Sequence, residues 1–282
     1  MSRTAPHKLQ AVFSARRRRI GLTYGLTALE NLIDLFYPFV IGVAINGLLL
    51  QQYQALAPLV GLWLFHTSCG YFRQRYDTRL FTEIFAEIAS RTAIEQRAAG
   101  RATSEVAART DMAEELVEFL EFDVPAAMLA LFGLVGGVVM LSTYDPVAGL
   151  CMGALLLPAT VIYWRFGHTA LGIERRFNNR SEREVGLIAG GGAGQLRRHF
   201  RNLARWRVHA SDAEAGAWSR LELIALLLFV ALLMRLAQLP ELMAGDIFAA
   251  VAYALRMLDA LDSVPERVSA FSRMRDNIAR LL

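Results

Sequence analysis

Basic residues are confined to alternate segments of this chain, and that confinement restricts the fold more than any motif does. Of the 30 Lys and Arg residues, all but Arg235 and Arg256 lie at the N-terminus, in two long internal segments, or at the C-terminus. Apolar stretches run between them, paired by three short loops with no Lys or Arg at all. A bilayer sorts charge in this way, because basic residues stay on the cytoplasmic side of the crossings. A hydrocarbon core about 30 Å thick needs roughly 20 apolar residues at 1.5 Å each. The pattern predicts an all-α membrane protein with six transmembrane helices, at 20–49, 56–71, 124–142, 146–164, 221–239 and 247–261. It places a basic N-terminus at 1–19, a six-helix membrane domain at 20–265, and a cytoplasmic helix end at 266–282. The loops 50–55, 143–145 and 240–246 have the lengths of tight helical hairpins.

Composition agrees. The hydrophobic fraction is 55 % and the mean hydropathy is +0.34. The net charge of +4 does not point to nucleic acid, because cytoplasmic arginine on a membrane protein accounts for it. Cys69 and Cys151 both lie in apolar stretches without a CxxC spacing or a His ligand set, so they read as small buried residues; no metal site is expected. The first apolar stretch follows Arg16–Arg19, carries Glu30 and Asp34 and has no small-x-small cleavage site. It reads as a retained helix rather than a leader.

The long segments 73–123 and 165–220 carry helical periodicity. Leu80, Ile84, Phe85 and Ile88 recur at steps of three and four, as do Leu116, Phe119 and Leu120. Each segment reads as a helix leaving the membrane, a turn, and a helix returning, with arms reaching about 30–35 Å. The turns fall at 98–104 and 189–194, where Gly, Ala and Ser cluster. Pro125 suits a first helical turn. Pro38 and Pro158 lie inside crossings and predict kinks, tolerated where neighbours satisfy the freed carbonyls. Gly133, Gly136 and Gly137 permit close helix contact.

Charges inside the apolar runs are the candidate pathway residues. Glu30, Asn31 and Asp34 sit midway through the first crossing, with Glu30 and Asp34 on one face. Arg256, Asp259 and Asp262 share a face of the sixth, where Arg256 is in reach of Asp259. One reading is a polar cavity between the first and sixth helices, open to polar or cationic cargo or to protons; the other is a set of pairs that hold helices together. His66 reads as a helix-to-helix hydrogen-bonding residue or a proton relay. Arg235 either snorkels outward or pairs with an acid. Arg197, Arg198, Arg201 and Arg205 form a basic stripe near anionic headgroups or a partner.

Several stretches together resemble the membrane domain of ABC exporters. They are Tyr37-Pro38-Phe39-Val40-Ile41-Gly42 with Ile45-Asn46-Gly47; the run from Arg91 to Arg109-Thr110-Asp111; and Gly245-Asp246 followed by Tyr253, Pro265 and Arg280. The resemblance implies two hairpin tips that couple to ATPase domains, here at Ala98, Gly100 and Ser104 and at Gly190, Gly192 and Gly194. It departs in one respect: the chain stops at Leu282, and no G-x-x-x-x-G-K-[ST] phosphate loop occurs. The run Gly190-Gly191-Gly192-Ala193-Gly194-Gln195 lacks the Lys and reads as a turn.

Three functions follow as expectations. The first is the membrane subunit of an ABC-type transporter, a homo- or heterodimer in the inner membrane that holds no cofactor itself and uses ATP through a separate ATPase. The second is a transporter of the same fold driven by a proton gradient. The third is a regulatory or scaffold subunit that transports nothing.

Overall fold

The computed structural model describes residues 13–100, 103–181, 190 and 192–281, and among them every regular element is helical. Two compact units emerge: residues 1–144 with 239–282, and residues 145–238.

In the first unit, α1 (Arg17–Leu35) and α2 (Tyr37–Leu49) form one apolar stretch interrupted at Phe36. The interruption lies just ahead of Pro38, whose ring crowds the preceding turn and which has no N–H for the Asp34 carbonyl, so a backbone N–H of the helix cap bonds there instead. A 3-10 turn at Tyr53–Leu56 leads into α3 (Ala57–Ala98). At 42 residues, α3 is about 63 Å long, twice what a bilayer core requires. Its distal half forms the first predicted hairpin with α4 (Thr103–Glu118). Leu80, Phe81, Ile84 and Ile88 are buried there with Ala113 and Val117. Arg16 and Arg19 from the chain's start hold Glu83 at 3.1 and 2.9 Å, and Arg16 also reaches Glu87 at 2.7 Å.

The third crossing continues through a π-helical turn at Phe119–Asp123, α5 (Val124–Leu131), a second π turn at Phe132–Gly136, and α6 (Gly137–Tyr144). The first π turn sits immediately before Pro125, which cannot donate to the carbonyl four residues back. Gly133, Gly136 and Gly137 provide the close packing expected of them: a Cβ at Gly133 would lie 2.9 Å from the Ala260 Cβ, and one at Gly136 2.6 Å from Leu35. α10 (Ala244–Asp262) and α11 (Val264–Leu281) complete the unit. Leu116 and Phe119 bury with Ala270 and Met274 of α11.

The second unit contains α7 (Pro146–Gly153), α8 (Leu156–Ser181) and α9 (Ala193–Leu236). The fourth crossing breaks at Ala154 and Leu155, the turn that Pro158 obstructs. α9 has 44 residues, about 66 Å, and packs along α8.

Among the described residues, five helical stretches are long and apolar enough to cross a membrane: Arg17–Leu49, Tyr53–Ala98, Arg109–Tyr144, Pro146–Ala170 and Ala193–Leu236. The expected sixth crossing forms a helix, α10, but it carries Asp246, Arg256, Asp259 and Asp262 and does not read as a span by composition. Its apolar face is nonetheless fully packed: Ala249, Ala250, Tyr253, Ala254 and Met257 are all inaccessible.

α2 and α10 meet backbone to backbone. A Cβ on Gly245 would overlap the Gly42 carbonyl oxygen and come within 2.6 Å of Asn46 Oδ1. Asn46 also accepts from the Gly245 N–H at 2.7 Å and donates to Asp246 at 3.1 Å, serving an N–H that the first turn of α10 leaves open. Gly245→Ala is therefore expected to destabilise the protein by about 2 kcal/mol, since a clash with backbone outweighs alanine's better helix propensity. A lowered midpoint of thermal unfolding in detergent checks this; a raised midpoint contradicts the packing.

Candidate functional site

One face of α3 carries His66, Gly70, Arg73 and Asp77 at steps of three and four, and it is turned towards α1. Glu30 of α1 ion-pairs with Arg73, whose Nη1 also donates to Asp77 at 2.8 Å. The His66 ring approaches the Glu30 carboxylate at 3.8 Å on one side and the Tyr37 hydroxyl at 3.0 Å on the other. Gly70 makes room for this arrangement, because a Cβ there would lie 2.9 Å from Glu30 Oε1. Asp77 is almost fully buried, so an arginine shared between two carboxylates is what keeps both charges compensated.

The second cluster sits at the Phe36 interruption. Arg256 of α10 ion-pairs with the Asp34 carboxylate and donates from Nη1 to the Asp34 carbonyl at 2.8 Å. That carbonyl, which Pro38 cannot reach from four residues on, accepts a backbone N–H of the helix cap, and a side chain from another helix adds a second donor. Three residues earlier on α10, the buried Tyr253 hydroxyl donates to the Leu35 carbonyl at 2.9 Å. The kink is thus held from outside by two side chains of one helix.

These contacts revise the expected pairings. Arg256 is bound to Asp34, and Asp259 and Asp262 lie exposed beyond it. Glu30 and Asp34 share a helix but belong to separate ion pairs. Asn31 is buried between them in sequence, with an amide nitrogen that has no hydrogen-bond partner among the described residues. Nor is Glu30 at mid-membrane. The apolar stretch Arg17–Leu49 is 33 residues, far longer than the core, so its midpoint is not the bilayer's. Counted from the short loop, Glu30 is about 28 Å along its crossing and Arg73 about 24 Å along α3, near the far boundary of the core.

Of the two proposed tips, the first is better defined. α3 ends at Ala98, and Gly100 adopts the left-handed φ of +70° that lets the chain reverse. Its N–H closes on the Arg97 carbonyl at 3.0 Å. Ser104 lies in the first turn of α4, and Arg101 and Ala102 between the arms fall outside the described residues. At the second tip, Gly192 immediately precedes α9 and Gly194 is already within it. The Gln195 side chain accepts from the Gly192 N–H at 3.3 Å. Gly190 is exposed; Ala189 and Gly191 fall outside the described residues.

A third ion pair staples the second unit. Arg235 near the end of α9 grips Asp145 with two bonds, at 2.8 and 3.1 Å, and Asp145 also caps α7 by accepting from the Ala148 N–H at 3.1 Å. Of the two fates expected for Arg235, pairing is the one observed. The guanidinium contact, with the helix N–H in support, holds the Asp145 carboxyl below the usual carboxylate range. A depressed carboxyl contributes stability that is full above its unfolded-state pKa and is lost as pH falls through the folded value. Asp145→Asn is expected to melt lower than wild type at neutral pH and to show a smaller further loss on acidification. Parallel melting curves from pH 7 to about 3 check it; equal acid sensitivity in both proteins refutes it.

A family model described as the ABC transporter transmembrane region matches residues 9–245. The chain belongs to this family. No curated protein matches it. As an ABC transporter transmembrane region, the chain is an integral membrane protein, and its extended α3 and α9 are elements of that domain. The match ends at Gly245, at the start of α10, so the helix that contributes Arg256 and Tyr253 lies past the matched region.

Sequence reasoning missed Arg73 and Asp77. Arg73 read as the first basic residue of a cytoplasmic segment, and Asp77 as part of that segment. The spacing of His66, Gly70, Arg73 and Asp77 was a signal: polar and small residues on one stripe of an otherwise apolar helix.

Proposed function

We propose that this ABC transporter transmembrane region is a transmembrane subunit that moves a substrate across the inner membrane as a dimer, with ATP hydrolysed by a separate nucleotide-binding partner. Both chain ends and both hairpin tips lie in the cytoplasm, where the partner docks. The chain's own part is mechanical: the long arms carry the partner's motion into the bundle. The observation that carries the reading is the length of α3 and α9, each about twice the bilayer core, with the first hairpin given its own buried core of Leu80, Phe81, Ile84 and Ile88. A rigid lever needs such a core; a passive loop does not.

Glu30 and Asp34 act in this reading as clamps on helix packing, since each is engaged by an arginine. Asn31 and Asp259 are the residues left to meet a substrate.

Purification of the tagged protein from its own membrane in mild detergent tests the proposal. A co-purifying ATPase in equal amount, with hydrolysis stimulated by the pairing and lost when Gly100 is changed to Val, is the expected result. A protein that comes out without an ATPase and transports in a protonophore-sensitive way overturns it in favour of gradient-driven transport. A protein found only in company with a complete transporter assigns it a regulatory role.

A further inference from the structure

The face of α3 opposite Glu30 carries a separate feature. Tyr71, Gln74, Arg75, Thr78 and Arg79 line an open groove of about 420 Å³. At 100° per residue these five fall within an arc of about 140°, centred about 140° round the helix from the His66–Asp77 stripe that packs on α1. Arg75 is fixed in place: Nη1 donates to the Tyr71 hydroxyl at 2.6 Å, and the guanidinium stands 5.4 Å over the Tyr71 ring. Arg73 and Arg91, on either side along the chain, both have acid partners. Among the described residues Arg75 and Arg79 have none, and both are exposed.

Depth decides what such a groove meets. Arg75 and Arg79 lie about 27 and 33 Å along α3 from Ala57, which brackets the far boundary of a core about 30 Å thick. Towards the short loop the same arc turns apolar, and Val60 and Leu64 are 55 % and 65 % exposed. An apolar track ending in two unpaired arginines, a hydroxyl and an amide at headgroup depth is the complement of an anionic amphiphile. We propose that this face of α3 binds an anionic phospholipid, with the phosphate on Arg75 and Arg79, Tyr71 and Thr78 at its edge, and an acyl chain along Val60 and Leu64. The lipid belongs to the leaflet away from the loop Leu50–Ala55. The assignment needs only that α3 spans the bilayer and is independent of any ATPase partner.

Native mass spectrometry of the full chain released from nanodiscs of phosphatidylglycerol and phosphatidylcholine in equal parts tests it. Wild type is expected to retain phosphatidylglycerol in preference, and Arg75→Gln with Arg79→Gln to weaken that preference about thirtyfold. Arg75→Lys with Arg79→Lys keeps most of it, and Arg220→Gln, an exposed arginine of α9, leaves it unchanged. An undiminished preference in the Gln pair overturns the proposal. So does an equal loss in Arg220→Gln, which means diffuse charge, or loss of a dimer peak with lipid retention intact, which means a second copy covers the face. A readout without variants guards against misfolding: phosphatidylglycerol shields Arg75 and Arg79 of the wild type from an arginine-modifying dicarbonyl, and no shielding also overturns the assignment.

Discussion

Arg73→Met is expected to destabilise the protein by about 3–5 kcal/mol, because it takes the shared guanidinium from two poorly accessible carboxylates. Glu30 and Asp77 have side-chain exposures of 19 % and 7 %, so neither recovers much hydration when the guanidinium is gone. Arg73→Lys should fall between, since an ammonium keeps the charge but not the planar fork that bridges two acids. Adding Glu30→Gln and Asp77→Asn to Arg73→Met should return most of the loss, as neutral amides need no counter-charge. Thermal unfolding of the four proteins in one detergent measures all of this. If Arg73→Met melts with the wild type, the bridge between α1 and α3 does not exist in the membrane.

Arg256→Met should cost less, about 1–3 kcal/mol, because the Asp34 side chain is 32 % exposed, and through two separable defects. One is the uncompensated Asp34 carboxylate; the other is the Asp34 carbonyl, which Pro38 has already deprived of its helical donor. Asp34→Asn in the Arg256→Met background removes the first defect only. Pro38→Ala added to that pair restores a backbone N–H for the carbonyl and should recover about another 1–2 kcal/mol. The order of recovery distinguishes this account from a simple salt bridge, in which Pro38→Ala would return nothing. It also bears on transport: a kink braced by Arg256 and Tyr253 can change its angle when α10 moves, so variants that straighten it should lower turnover more than substrate affinity.

The extent of the fold was written in the chain. Charge alternation and apolar run length pointed to the five stretches long and apolar enough to cross and to the helix α10, because the bilayer is a solvent with a fixed thickness and a strong preference about where arginine goes. The hairpin core at Leu80, Ile84 and Ile88 was visible as a helical period, since burial of one face imposes a repeat of 3.6 whatever the partner. Pro38 and Pro158 marked breaks in α1–α2 and α7–α8 because proline's effect is local and covalent. Gly133, Gly136 and Gly137 announced close packing for the same kind of reason, though not which helix would fill the space.

The pairing of charges was not legible. Asp259, one turn from Arg256 on the same helix, looked as good a partner for it as any other acid, but the guanidinium points at Asp34, 222 positions away in sequence. Arg73 lies 43 residues from Glu30 and Asp145 lies 90 from Arg235. Spacing along one helix fixes which side chains share a face, and that alone makes i and i+4 pairs predictable. Which face meets which across a bundle depends on how helices rotate and slide until their small residues interlock, as Gly42 and Gly245 do. The chain by itself determined where it crosses, bends and leaves the bilayer; the tertiary structure alone decided which buried charge answers which, because those distances are set by packing between helices and not by the covalent path.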